Sequence, residues 1–262
     1  MKRYAQTLRL FWTTSVSAEM EYRANFVLTA IQSSLGLAGA VFVLWSLFRT
    51  GYQLGGWTWP EALLVVAAYT LLDGLQNTLL APNRQQVGEM VREGTLDFVL
   101  LKPIDTQFWL SVRHVKIWGV PNLVLGVALA VFAWSQLDPS VGFLGLLRFI
   151  PPMLIGFVIV YALGYLLSTL TIWFVKLNNI TIAMQSLLEA GRYPVTAYPH
   201  AYRIFFTFIL PVAFMTTVPA QLVTGDAGST ALLAALGVAV GLLLLSRWFW
   251  RFALRHYTSA SS

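Results

Sequence analysis

Polar and apolar positions in this chain are gathered into long blocks rather than alternating with a short period. Five runs carry no charged residue: residues 26–48, 117–137, 149–175, 204–224 and 227–246. A sixth, residues 62–81, carries one, Asp73. Each reaches the roughly 20 residues that a helix needs to cross a bilayer. The pattern predicts an all-α membrane protein with six transmembrane helices. Ahead of the first run, Tyr4, Leu8, Phe11 and Trp12 recur at helical spacing, with Lys2, Arg3 and Arg9 on other faces. That arrangement predicts a helix lying in the membrane interface over residues 1–25. No apolar run follows Lys2 and Arg3 until residue 26, and that run is too long for a signal-peptide core, so no cleaved leader is expected.

Composition agrees with the pattern. The chain has 262 residues, of which 57% are hydrophobic and 11% charged, against about 25% charged in an ordinary soluble domain. A soluble enzyme is therefore excluded, and with no cysteine so are a disulfide-stapled domain and thiolate chemistry. The net charge of +6 does not point to nucleic acid, because basic residues collect in the cytoplasmic loops of membrane proteins. With six spans, fifteen of the seventeen Lys and Arg fall on one side, and only Arg49 and Arg148 on the other. Both termini are then cytoplasmic.

Three places hold residues of chemical interest. Asp73 lies inside a span, with Gln76 and Asn77 three and four residues on. A buried acid in a membrane is costly and by default functional, either on a substrate path or in packing that supports one. The second place is the polar stretch 83–105, NRQQVGEMVREGTLDFVLLKPID. Val87, Met90 and Val91 share one helical face, Gly94 is a natural helix stop, Thr95 can cap a second short helix, and Lys102-Pro103 ends it. Two short helices around a glycine, with mixed apolar and charged surface, suit a partner or the membrane surface. The third is residues 204–224, where Pro211 and Pro219 each remove a backbone hydrogen bond. Broken helices at membrane depth persist only when buried in protein or lining a cavity.

Catalytic chemistry is not expected. The chain has no GxxxxGK[ST] phosphate loop and no HExxH. His114, His200 and His256 are far apart, and only His114 has a serine nearby, Ser111. No catalytic residue, metal site or cofactor is assigned.

Two segments resemble a known family. Residues 88–105, GEMVREGTLDFVLLKPID, are similar to the cytoplasmic loop of the type-2 permeases of ATP-binding-cassette (ABC) exporters: an acid, Gly-Thr-Leu, an apolar run, then a basic residue and proline. Residues 189–220, EAGRYPVTAYPHAYRIFFTFILPVAFMTTVPA, resemble a bacterial branch of that family, with a YP…YP element ahead of P-x-A-F…P-A.

The resemblance implies a half-transporter in the bacterial inner membrane. Two permeases, identical or related, would pair among membrane lipids. Each would receive a separate ATPase subunit that binds ATP, so ATP hydrolysis is not expected on this chain. It also implies an interfacial (elbow) helix at 1–25, a permease domain at 26–250 with a coupling loop at 83–114, and a tail at 251–262. In the coupling loop, Met90, Val91 and Leu96 would be the apolar contacts with the ATPase, Glu89, Arg92 and Glu93 the charged rim, and Gly94 the turn. By the same comparison, a fifth span ends near Glu189, and residues 192–226, with Pro211 and Pro219, form a re-entrant outer hairpin instead of a full span. Arg192 and Arg203 then move outside, leaving thirteen basic residues against four. Charge does not decide between the two arrangements, but the prolines favour the hairpin. Two other functions compete: a secondary transporter, which usually has more intramembrane ionisable groups and repeat symmetry, and a non-transporting scaffold.

Overall fold

A computed structural model describes Trp12 and residues 23–52, 54–174 and 180–257. The expected interfacial helix lies outside the described residues, apart from Trp12 and its last three residues. All regular structure among the described residues is helical.

The first apolar run becomes α1 (Arg23–Arg49), and the second begins α2 (Trp59–Leu75). Pro60 stands in the first turn of α2, and the Glu61 carboxylate accepts the Thr58 N–H at 2.8 Å, satisfying an amide that the helix start leaves free. A π-helical turn (Gln76–Leu80) joins α2 to α3 (Ala81–Glu93) without a break. The whole unit from Trp59 to Glu93 has 35 residues and is about 52 Å long. A hydrocarbon core is about 30 Å thick, so α3 extends beyond it. Gly94 then stops the helix with φ 69° and ψ 9°, a left-handed conformation that glycine adopts without strain.

Short helices α4 (Leu96–Leu100) and α5 (Thr106–Val112) follow. Thr95 precedes α4 but its hydroxyl makes no cap. Asp105 is the capping residue instead, accepting the Phe108 N–H at 2.9 Å. A short 3₁₀ turn (Ile117–Gly119) leads into α6 (Val120–Ser135). Next come α7 (Gly142–Arg148), α8 (Ile150–Thr169), α9 (Ile180–Glu189), α10 (His200–Ile204), α11 (Thr217–Thr224) and α12 (Ser229–Arg255). The last helix runs past residue 251, so the tail begins later than the sequence pattern indicates.

Five helical stretches are long and apolar enough to cross a membrane: Ala24–Arg49, Trp59–Glu93, Ile117–Ser135, Gly142–Ile172 and Ser229–Arg255. The remaining run, residues 204–224, is not one helix. After α10 and a π turn, Leu210 is extended (φ −113°, ψ 100°) ahead of Pro211, and helix resumes only in α11. Pro211 supplies no N–H and thus marks the break. Pro219 does not break α11, because it sits in the first turn, where the N–H has no helical acceptor. The two sides of the break differ. Phe208 and Ile209 are exposed, whereas Val212, Met215 and Ala220 are buried.

The core forms around α2, which packs against α6 most closely and also touches α1, α8, α9 and α11. A second cluster, with Val87, Val91, Leu96, Val99, Trp109, Leu110, Tyr165 and Trp250, joins α3, α4 and α5 to the ends of α8 and α12. Arg84, Arg92, Lys102, Arg113, Lys116, Arg247 and Arg251 fall at this end of the bundle, here termed the basic end.

Candidate functional site

A polar groove of about 380 Å³ runs between α1, α2, the start of α6 and α9. On α1 its wall is Thr29, Gln32, Ser33 and Gly36, spaced by three and four residues and so on one face. On α2 and the π turn, Tyr69, Asp73 and Asn77 repeat the same spacing. Two helices that read as apolar therefore each turn a polar stripe toward one space.

Asp73 is buried in this wall and its Oδ2 accepts from the Asn122 side chain of α6 at 2.5 Å. One turn away, Arg192 donates to the Tyr69 hydroxyl at 2.8 Å, with its guanidinium 4.7 Å from the ring centroid. Glu189 lies 3.5 Å from the same guanidinium. Lys116 and Gln185 also line the groove. The acid thus shares the groove with two cations. Its wall offers donors, acceptors and aromatic faces but no histidine among the described residues, an arrangement that can hold a polar molecule.

The backbone around Asp73 is wide for a reason. In the π turn the Ala81 N–H reaches back to Gln76 O, and the Thr78 carbonyl, whose α-helical donor would be the missing N–H of Pro82, accepts the Lys116 N–H at 3.0 Å. The chain entering α6 approaches this turn at Gly119, where any Cβ would overlap the Gly74 carbonyl and the Thr78 hydroxyl. π turns of this kind are frequent at functional sites.

Of the three polar residues expected together in the second run, Asp73 and Asn77 reach the groove. Gln76 does not: its amide is buried on another face with neither atom hydrogen-bonded. Asn122, Tyr69, Arg192 and Gln185 were not legible as members. Asn122 is a polar residue in an uncharged run directly after a proline, and that is the signal that marks it.

The basic end carries the second candidate. Glu89, Arg92 and Glu93 on α3 face outward, as do Phe98 (69% exposed), Leu100 and Leu101 (82% exposed). Val91 and Leu96 are instead buried in the cluster with Trp109 and Trp250, and Met90 is half-buried against it. The expectation that Val91 and Leu96 form an outward apolar contact is therefore corrected. A cleft on another protein could seat them only after this core was unpacked.

The segment is tied to the bundle by Asp105, which takes both a hydrogen bond at 2.9 Å and a second, shorter one from the Arg247 guanidinium of α12. That pairing holds the Asp105 carboxyl below the usual carboxylate range. Lys102 and Arg113 stand over the Trp109 ring at 4.4 and 4.3 Å from its centroid. Ser111 shows no link to His114. Its hydroxyl bonds the Gln107 carbonyl at 2.6 Å and lies 2.9 Å from the Tyr161 hydroxyl.

At the other end of the bundle, Trp57 Nε1 donates to Thr196 Oγ1 at 2.6 Å. The Thr217 hydroxyl accepts the Val195 N–H at 3.0 Å. The segment after α9 is thereby fastened to the loop before α2 and to α11.

Comparison with known proteins gives one match. A family model described as ABC-2 family transporter protein covers residues 35–261. No curated protein and no solved structure matches the chain. The chain belongs to the ABC-2 transporter family and is a transmembrane transport protein of the permease type.

Proposed function

We propose that this chain is the permease half of an ABC exporter, pairing with a second permease and coupling to a separate ATPase subunit. The observation that carries the reading is the unbroken helical unit from Trp59 to Glu93. It has Asp73 and Asn77 on the polar groove and Glu89, Arg92 and Glu93 exposed at the basic end. A rigid rod with a binding wall at one level and an outward surface at another converts a push on the surface into a change in the wall.

In this reading the groove is half of the translocation path. The second permease covers the exposed side of α1 and α9, and residues 192–226 dip into the membrane from the outer side and return. α9 belongs to the sixth crossing. The basic end is cytoplasmic, as the charge bias requires, and the membrane is the bacterial inner membrane. Glu89, Arg92 and Glu93 meet the ATPase as charged partners, and the apolar contacts come from Phe98, Leu100 and Leu101, with Met90 at their edge. Gly94 sets the angle between the α3 and α4 surfaces. ATP is held by the partner, and coupling is reciprocal, so occupancy of the groove changes ATPase activity.

The test uses the complex purified from native membranes with its bound ATPase. Phe98→Asp and Leu101→Asp place charges on outward positions and are expected to lower the bound ATPase by about tenfold, the equivalent of about 1.4 kcal/mol, without a change in permease stability. Gly94→Val strains the left-handed turn and is expected to lower association as well. Full ATPase retention by all three variants at normal protein levels would sink the coupling assignment.

A further inference from the structure

A second cavity, of about 510 Å³, opens beside the π turn between α5, α8 and α12. Its size falls within the roughly 300–1,000 Å³ of small-molecule sites. One end is apolar, with Leu79, Phe157, Val158 and Leu243. The other end is a polar rim at the basic end of the bundle. There the Tyr161 hydroxyl meets Ser111 at 2.9 Å and Gln107 Nε2 at 3.3 Å, and Arg247 donates to Gln107 Oε1 at 3.1 Å. Trp12 closes one edge, donating to the Val112 carbonyl at 3.3 Å. Tryptophan favours the headgroup level of a bilayer.

Behind the rim lies Arg84, whose residue is 6% exposed. Among the described residues, none of its three guanidinium nitrogens has a hydrogen-bond partner and no carboxylate pairs with it. The Tyr165 hydroxyl beside it is also unpartnered. Both face a void of about 10 Å³ that shares Leu80, Ser111 and Tyr161 with the larger cavity. The guanidinium reaches this position because residue 164 is glycine: a Cβ there would stand 2.8 Å from Nη1. A buried cation without a counter-charge costs several kcal/mol, and its five N–H donors require acceptors. The wall of the void offers the neutral hydroxyls of Ser111, Tyr161 and Tyr165 and no anion. Of the charged and titratable groups on the larger cavity, Asp105 is paired with Arg247, and His114 remains. The missing component is an anion whose remainder is apolar.

We propose that this cavity holds one phospholipid with a net negative headgroup, drawn from the leaflet at the basic end. Its acyl chain lies along Leu79, Phe157, Val158 and Leu243, and its phosphate sits at the Ser111–Tyr161 rim, where Arg84 supplies the counter-charge. Arg84 acts across the rim by its charge, which favours a net negative headgroup over a zwitterionic one. The site is separate from the polar groove and does not rest on the coupling mechanism proposed above.

The probe is phosphatidylglycerol, with zwitterionic phosphatidylcholine as its comparison, each titrated onto delipidated protein and followed by native mass spectrometry. The wild-type protein is expected to retain one phosphatidylglycerol about tenfold more tightly than phosphatidylcholine, because the choline ammonium offsets the phosphate charge that the unpaired Arg84 attracts. Arg84→Gln should bring the two lipids to parity. Val158→Trp, which fills the apolar end and leaves Arg84 in place, should lose both, and it carries the test if Arg84→Gln fails to fold. Arg255→Gln, at the exposed end of α12, should change neither. Equal retention of both lipids by the wild type, an unchanged preference in Arg84→Gln, or undiminished binding in Val158→Trp would each overturn the proposal. So would displacement of the lipid by millimolar inorganic phosphate, which would make this a site for a small free anion.

Discussion

Helices α1 and α2 are both apolar and both long enough to cross a membrane, yet they are used in opposite ways. Of the seventeen residues of α2, twelve are buried within the chain. Of the described side chains of α1, only Ala40 and Leu44 are, while Leu35, Phe42 and Trp45 are exposed. The difference does not come from hydrophobicity, because lipid tails are as apolar as leucine and provide no drive to bury one apolar helix rather than another. It comes from small residues. α2 presents Gly74 to Gly119, at the turn into α6, and Leu71 to Gly126 of α6, and these lie so close that added Cβ atoms at residues 119 and 126 would meet the Gly74 carbonyl and Leu71. Gly36 and Gly39 of α1 face open space. In this protein a glycine marks a helix crossing only where another backbone comes to meet it.

The largest expected effect follows from that contact. Gly119→Val drives a branched side chain into the Gly74 carbonyl and the Thr78 hydroxyl. The neighbouring atoms are backbone and a short side chain, which cannot move aside, so the loss should be at least the roughly 1–3 kcal/mol of ordinary overpacking. Gly39→Val, on α1, meets no neighbour and should be neutral or gain the few tenths of a kcal/mol by which valine exceeds glycine in helix propensity. Thermal unfolding of the two purified variants in one detergent checks the contrast. Equal losses would show that α1 is as closely partnered as α2.

A smaller effect is expected where the polar stripe of α2 meets α6. Asp73 and Asn122 share a 2.5 Å hydrogen bond. Hydrogen bonds between membrane helices are worth about 0.6 kcal/mol on average and up to about 1.7. A double-mutant cycle with Asp73→Leu and Asn122→Leu should give a coupling energy in that range, measured by unfolding in detergent. Asp73→Asn should retain most of it, since an amide oxygen still accepts. A coupling near zero would mean that the pair contributes nothing to the α2–α6 contact and that Asp73 is kept for the groove alone.

How much of this could be read beforehand divides along the same line. Five of the six apolar runs became helices that begin within a few residues of the runs' starts, residues 204–224 did not form one helix, and Gly94 is the left-handed stop that its position indicated. The ends of α2 were not legible, because the π turn that carries it into α3 depends on Lys116 and Gly119, some forty residues on. The outward face of the α3–α4 segment was misread for a related reason. Val91 and Leu96 look like partner-binding apolar residues in a polar stretch, but Trp109, Tyr165 and Trp250 fold over them. A polar run hides a core when its apolar partners come from distant helices. Arg84 shows the converse: it counts as one more basic residue in a loop, and only the packing of Gly164 and Tyr165 makes it a buried charge.

The smallest effect tests what covers α1. Leu35 is 68% exposed in the single chain, and its side chain meets either lipid or another protein. If it meets lipid, Leu35→Ala exchanges one apolar contact for another, and stability should change by less than about 0.5 kcal/mol, as for surface positions generally. Leu64→Ala on α2 is the matched control. That side chain is fully buried, so its removal leaves a cavity lined by neighbours that cannot close it, at about 2–5 kcal/mol. Measured on the isolated chain, the two substitutions should therefore differ severalfold. Measured on the assembled complex, Leu35→Ala becomes informative in its own right. If a second permease seats on α1, the substitution weakens that association while leaving the isolated chain as stable as before. If dimer and monomer are both unaffected, lipid covers this face and the second subunit binds elsewhere. A large loss in the isolated chain would contradict the comparison itself, since it would require a partner for α1 within the same chain.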